Sequence, residues 1–253
     1  MGSSEGGAKP WHLLISTAGG RMRYTKAAAG RQFAKWSAGY DRSLLQWLLF
    51  VPSHYCLLER LGPGGGFDLL DVGCGTGIFL DRVKTAYPLA RVTGVDYSRS
   101  MLEFAAGRLS GGQRDSGTAG RTPGLVQGDS EFLPFEDDSF DVITCAHSFH
   151  HYPHQEDVVG ELYRVLRPGG RLMLIDGFRD GWWGWLIYDV CVVAVEGEVR
   201  HASAERFREL LAQAGFVAIR QWVSGRLAPF LLTQAVAGKA TLGQPLLTQA
   251  QVA

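Results

Sequence analysis

An α/β fold built on a doubly wound, mostly parallel, seven-stranded sheet is predicted by three features of this sequence. The run Leu69-Leu70-Asp71-Val72-Gly73-Cys74-Gly75-Thr76-Gly77 reads as a buried strand that ends in a carboxylate and turns through three glycines into a helix. From Phe67 to Asp176 strand-like and helix-like patterns alternate, which requires crossover helices on both faces of a parallel sheet. The 253 residues are 46 % hydrophobic and 20 % charged, enough for one domain with a sizeable core and too few for two independent ones.

The elements follow in order. Residues 1–20 are expected to be a disordered leader, because the apolar patch Trp11 to Ile15 is too brief for a signal sequence and lacks a basic flank. Residues 21–61 form an N-terminal helical cap: Phe33, Trp36 and Tyr40, then Leu44, Leu45, Trp47, Leu48 and Leu49, recur at helical spacing, with Asp41 as a cap. Gly62-Pro63-Gly64-Gly65-Gly66 ends the cap and releases the first strand, Phe67 to Val72. Helix Ile78 to Tyr87, strand Arg91 to Val95 and helix Arg99 to Leu109 follow, then a Gly/Ser/Arg/Thr-rich surface loop from Ser110 to Pro123. Strand Leu125 to Gln127, strand Phe140 to Cys145, helix Gln155 to Leu166, turn Arg167-Pro168-Gly169-Gly170 and strand Arg171 to Ile175 complete a core over 67–176. Beyond it, 177–202 carries a tryptophan-rich insertion, Ser203 to Ala214 reads as a capped helix and Phe216 to Val223 as a strand. Pro229 to Val236 is a closing strand, antiparallel to its neighbour, and 238–253 a tail after a single domain over 21–237.

Composition excludes several classes. Twenty-five basic and 25 acidic side chains cancel, so no overall field draws the chain to nucleic acid or to an anionic membrane. Cys56, Cys74, Cys145 and Cys191 are scattered without C-x-x-C pairs, which indicates neither a zinc knuckle nor a disulfide framework, and a cytoplasmic protein is expected. No spacing specifies an oligomeric state.

In an open parallel sheet, ligands bind beyond the carboxyl ends of the strands, near the point where strand order reverses. Three such ends carry an acid: Asp71, Asp96 and Asp129. The glycine turn by itself fits several cofactors, since it lets backbone N–H groups approach a ligand at a helix N-terminus. A dinucleotide fingerprint is Gly-x-Gly-x-x-Gly around an anionic pyrophosphate, whereas here the third glycine comes one residue early and Asp71 suits a cationic group. Asp96 can accept both hydrogens of a ribose diol. Asp129 can accept from an adenine amino group while the backbone N–H of Ser130 or Glu131 donates to the ring. An adenine, a ribose and an amine-bearing tail together describe S-adenosyl-L-methionine.

Five motifs in order, Asp71-Val72-Gly73-Cys74-Gly75-Thr76-Gly77, Gly94-Val95-Asp96-Tyr97-Ser98, Gly128-Asp129-Ser130-Glu131-Phe132-Leu133-Pro134-Phe135, Asp138-Ser139-Phe140-Asp141 and Val165-Leu166-Arg167-Pro168-Gly169-Gly170, span the core. Over them the chain resembles the class I S-adenosylmethionine-dependent methyltransferases and is similar to the small-molecule branch that includes quinone-biosynthesis C-methyltransferases. The resemblance implies a Rossmann-like sheet and S-adenosyl-L-methionine as cofactor, with Asp71, Gly73, Gly75, Asp96, Asp129 and Ser130 in its site. It also implies that Tyr97 and Met101 lie against the adenosine and that Ala146 lies at the cofactor. Phe33-Ala34-Lys35-Trp36-Ser37-Ala38-Gly39-Tyr40-Asp41 is similar to that branch's entry helix, which places Tyr40 by the methionine part.

Histidines 147, 150, 151 and 154 crowd the segment after the fourth strand. Their mixed spacing does not put three ligands on one face, so no metal is expected. His151 or His150 is instead the candidate general base for an acceptor that must lose a proton. The run Trp182 to Tyr188 reads as a hydrophobic lid over an apolar or aromatic small molecule, with weak membrane-surface contact as the alternative. The expected reaction is in-line methyl transfer to O, C or N, in which alignment and water exclusion supply up to about 7–11 kcal/mol. Two rivals are a non-catalytic cofactor-binding module and a nicotinamide oxidoreductase; the latter's Tyr-x-x-x-Lys pair is absent, Tyr163 being followed by Arg167. Nucleic-acid methylation is disfavoured by neutral charge and by Ala146-His147-Ser148-Phe149 where an amino-methylating enzyme carries Asn/Asp-Pro-Pro-Tyr/Phe.

Overall fold

A computed structural model describes residues 44–62, 65–111, 123–193, 199–225 and 228–239. The leader, the entry helix with Phe33, Trp36 and Tyr40, the Asp41 cap, most of the loop after Ser110 and all but the start of the tail lie outside the described residues.

Seven strands form one sheet: β1 (Asp68–Val72), β2 (Arg91–Asp96), β3 (Gly124–Gln127), β4 (Phe140–Ala146), β5 (Leu166–Gly177), β6 (Phe216–Ser224) and β7 (Phe230–Ala237). Their order is β3-β2-β1-β4-β5-β7-β6, parallel through β5, with β7 antiparallel to both β5 and β6. The order reverses between β1 and β4, and a crevice opens at their carboxyl ends.

Strand burial explains why the sheet is covered twice. Leu70, Val72, Ile143, Leu172 and Leu174 face one core, while Leu69, Val142, Met173 and Ile175 face the other, the alternation a pleated strand imposes. The first core takes Val158, Val159 and Leu162 from α4 (Gln155–Val165) and Phe207, Leu210 and Leu211 from α6 (Ala204–Gln213). The second takes Leu57 and Leu61 from α1 (Leu44–Leu61), Phe79, Leu80 and Val83 from α2 (Ile78–Ala86), and Leu102 and Leu109 from α3 (Arg99–Gly111). α6 starts where the sequence places it: Ser203 is the N-cap and its hydroxyl accepts from Arg206 N–H.

Two features differ from expectation, and the insertion is helical as expected. The turn Arg167-Pro168-Gly169-Gly170 is a bulge inside β5: Leu166 pairs with Phe140 and Arg171 with Val142, and Gly169, at φ 74°, absorbs the extra length. Arg167 on that bulge reaches Asp68 at 2.9 Å and Asp141 at 2.7 Å, tying the amino ends of β1, β4 and β5 together. The expected tail begins docked, because Lys239 Nζ donates to the carbonyls of Arg164 (2.7 Å) and Leu166 (2.6 Å). The tryptophan-rich insertion forms a short helix, α5 (Trp182–Trp185), that runs into a wider π turn over Leu186–Val192. No helix among the described residues is long and apolar enough to cross a membrane.

Candidate functional site

The crevice is lined by the ends of β1, β2 and β4, the loop after β3, the start of α2 and two residues of α1, Phe50 and His54. It brings together Asp71, Gly73, Gly75, Asp96, Tyr97, Met101, Asp129, Ser130, Ala146 and His151. Three carboxylates and no Lys or Arg line it among the described residues.

Asp71, next to last in β1, has only 3 % of its surface exposed, and its Oδ1 accepts from Thr144 Oγ1 at 2.7 Å. Burial, with the nearby Asp96 charge, pushes its pKa up to about 7, against the Thr144 hydrogen bond that favours the anion. A cation at this carboxylate would restore its charge. Asp96, at the end of β2, has a pKa raised by burial and opposed by two backbone bonds: Gly75 N–H to Oδ2 and Ser98 N–H to Oδ1, both 2.8 Å. Each oxygen keeps a lone pair, so a diol can still be accepted in a pre-set orientation. Asp129 Oδ1 accepts from Glu131 N–H at 3.0 Å. That bond uses the Glu131 donor, leaving Ser130, the one of the two that lines the crevice, for a ligand.

The glycines divide the work. Gly73 has φ 72°, and a Cβ there would lie 2.5 Å from Ser148 Oγ and 2.8 Å from Tyr152 Oη, so the β1 turn is seated against the segment after β4. Gly75 has φ 53° and a Cβ would meet nothing within 4 Å, so its open side is a cradle facing the crevice.

The opposite wall is built of histidines. His147 Nε2 lies 2.7 Å from Ser53 Oγ; that hydroxyl donates to Phe50 O at 2.8 Å, which makes His147 Nε2–H the donor to Ser53. Burial lowers the His147 pKa to about 4 and the His54 pKa to about 3, the latter with help from His147 and Arg82. His151 is held well below the ordinary histidine range by burial, with His150 adding to it and Asp176 opposing. These imidazoles are therefore neutral at pH 7, and the wall adds no positive charge against a cationic ligand.

His150 corrects the expectation that either neighbour could serve as base. Its ring points away from the crevice into the interior, 7 % exposed, with Nδ1 2.6 Å from Asp176 Oδ1. The physical reason is the 3₁₀ turn Phe149–His151, where successive side chains diverge by about 120°, so one histidine faces the crevice and the other the core. The lid expectation also changes. Residues 182–192 line no part of the crevice; Tyr188 packs on Gly177, Arg179 pairs with Asp189 at 3.1 Å, and Trp182 and Trp185 are 76 % and 52 % exposed.

Sequence reading missed Thr144, Ser148 and Tyr152, which support the turn, and His54, which faces it from α1. It also missed Asp176, although Asp176 is next to last in β5 as Asp71 is in β1, and an acid near a strand tip was the signal that found the other three.

The comparisons with known proteins agree with this fold. Residues 70–174 match a family described as a methyltransferase domain. A demethylmenaquinone methyltransferase of Lactococcus lactis is 36 % identical over 120 residues, 47 % of this chain and 45 % of the relative. The methyltransferase GfsG of Streptomyces halstedii is 40 % identical over 146 residues, 56 % of this chain and 47 % of the relative. The chain thus spans about half the length of these curated relatives. A chain solved in the "complex between the Haloferax volcanii Trm112 methyltransferase activator and the putative methyltransferase" superposes with a TM-score of 0.65 at 21 % identity, covering 81 % of this chain and 97 % of that one, and shares the fold. Residues 70–174 thus match a methyltransferase domain, and the seven-stranded sheet is that of the class I, Rossmann-like methyltransferase fold.

Proposed function

We propose that the chain transfers the methyl group of S-adenosyl-L-methionine to O, C or N of an apolar or aromatic small molecule. The observation that carries this reading is the buried Asp71 in a crevice with two further carboxylates, neutral histidines and no lysine or arginine among its described lining residues. That field favours a ligand with a cationic end and opposes the pyrophosphate of a nicotinamide dinucleotide.

When bound, the cofactor supplies a methyl group already activated on a sulfonium. Asp71 would hold the amine of the methionine tail, Asp96 the ribose hydroxyls, and Asp129 with Ser130 the adenine edge. Tyr97 and Met101 flank the same pocket and would pack on the adenosine. Tyr40, in the segment before α1, is assigned to the methionine part by resemblance. Phe50 and His54 close the crevice from α1, excluding water from the acceptor side. His151, neutral and facing the crevice, would accept the proton of an acceptor that must lose one. An apolar acceptor fits the aromatic wall of Phe50, Phe79 and Tyr152.

Isothermal calorimetry with S-adenosylmethionine and S-adenosylhomocysteine tests the binding step, and homocysteine release against a panel of phenols, quinols and apolar amines tests turnover. Micromolar or tighter binding of both is expected. Absence of binding by the wild type would overturn the reading, and binding without turnover of any acceptor would leave a cofactor-holding module.

A further inference from the structure

We propose that His150, Asp176 and His201 form a binding site for one divalent transition cation of the zinc type. The three residues come from separate places: the turn after β4, the carboxyl end of β5 and the segment before α6. Their ligand-type atoms lie within 4.8 Å of one another and all three residues are buried. Two imidazoles and one carboxylate are a donor set suited to zinc.

His201 is the observation that asks for an occupant. Its side chain is 1 % exposed, and neither ring nitrogen has a hydrogen-bond partner. Nδ1 comes within 3.6 Å of Asp176 Oδ1, too long for a hydrogen bond and close to the separation of two ligands on one ion. Tetrahedral zinc with bonds of 2.0–2.2 Å places neighbouring ligand atoms about 3.4 Å apart. His150 Nδ1 now sits 2.6 Å from the same oxygen through a shared proton, so this edge must open by about 0.8 Å as the cation takes that proton's place. The proton leaves to solvent, and metal binding is coupled to its release.

Asp176 is already oriented for this. Oδ2 accepts from His150 N–H at 3.0 Å and Oδ1 from Gly177 N–H at 2.8 Å, the kind of outer hydrogen bonds that fix a ligating carboxylate. Spacing along the chain does not reveal it, because histidines 147 to 154 belong to one segment, whereas Asp176 and His201 arrive only through the sheet and the return to α6. The cation would lock three chain segments behind the crevice wall, where the His150 ring lies 4.1 Å, centroid to centroid, from that of His151. A second cluster, Glu131, His154 and Asp157, is exposed at two of its three members and carries no such argument.

The test uses the full chain, stripped by a chelator and titrated with Co²⁺ and then Zn²⁺. One equivalent of Co²⁺ should give visible d–d absorption that Zn²⁺ abolishes, and a dye in weak buffer should report proton release. His201→Ala should weaken Zn²⁺ at least about 100-fold while its affinity for S-adenosylhomocysteine stays unchanged, which shows that the variant folds. If the variant does not fold, the wild-type cobalt titration decides alone. No stoichiometric cobalt spectrum, as a buried water on His201 would give, or undiminished affinity in His201→Ala overturns the proposal. Cobalt binding by a protein that fails to bind S-adenosylhomocysteine would sink the cofactor reading and leave the metal site standing.

Discussion

The crevice has two halves built on different physical plans. On the donor half, the key carboxylates sit at or just beyond the tips of β1, β2 and β3, and Asp96 and Asp129 are fixed by backbone N–H groups: Gly75 and Ser98 on Asp96, Glu131 on Asp129. On the histidine half, the His147 ring is fixed by a side chain far along the chain, Ser53. The first half is acidic and the second neutral at pH 7. Binding strength should therefore reside in the donor half and proton handling in the histidine half.

The largest expected effect follows from that division. Asp96→Ala removes the proposed ribose acceptor and also frees the Gly75 and Ser98 N–H groups that shape the turn. With hydrogen bonds to a charged group at about 1.5–3 kcal/mol each, the Kd for S-adenosylhomocysteine should rise by about 10²–10⁴-fold. Calorimetry on Asp96→Ala beside His151→Gln breaks the comparison if both weaken binding alike.

Next comes the complementary loss. His151→Gln should lower kcat by about 100-fold for an acceptor that must lose a proton, with cofactor affinity unchanged. An acceptor that carries no such proton should be methylated by the variant at the wild-type rate. Steady-state kinetics with one acceptor of each kind separates a base from a wall residue.

The pH dependence of binding is a smaller effect with a definite sign. Asp71 has its pKa raised to about 7, so below that value it is increasingly protonated and presents no charge to an ammonium. Affinity for S-adenosylhomocysteine should fall about tenfold from pH 8 to pH 6, following the ionised fraction of Asp71. His147 and His54, depressed to about 4 and about 3, stay neutral throughout and contribute nothing in this window. Calorimetry across that range on wild type and Asp71→Asn checks it, the variant giving weaker and flat binding.

The same division governs what the sequence reveals. Each donor-half acid follows a hydrophobic strand closely, so strand periodicity and the glycine turn place Asp71, Asp96 and Asp129 at one crevice from spacing alone. His150 and His151 are adjacent in sequence, yet a 3₁₀ turn sends one outward and one inward, and no periodicity distinguishes them. His54 faces the crevice because α1 packs over the second core, and His201 meets Asp176 because the chain returns to α6; both are consequences of tertiary packing. The bulge in β5 escaped for a related reason: Arg167-Pro168-Gly169-Gly170 has turn chemistry, and only the pairing of Leu166 with Phe140 keeps it in the sheet.

The smallest expected effect concerns the tryptophans, which lie outside both halves. Trp182 and Trp185 are exposed and line no part of the crevice, whereas Tyr188 is held against Gly177. Replacing both tryptophans with serine should change stability by no more than about 0.5 kcal/mol each and leave kcat/KM for a water-soluble acceptor within about twofold of wild type. If the rings serve as a surface-contact element, the loss falls instead on cosedimentation with lipid vesicles, since amphipathic tips of this kind partition into an interface. A tenfold fall in kcat/KM would show that the segment closes over the acceptor during turnover. The crevice would then have a third wall, one that this conformation holds open.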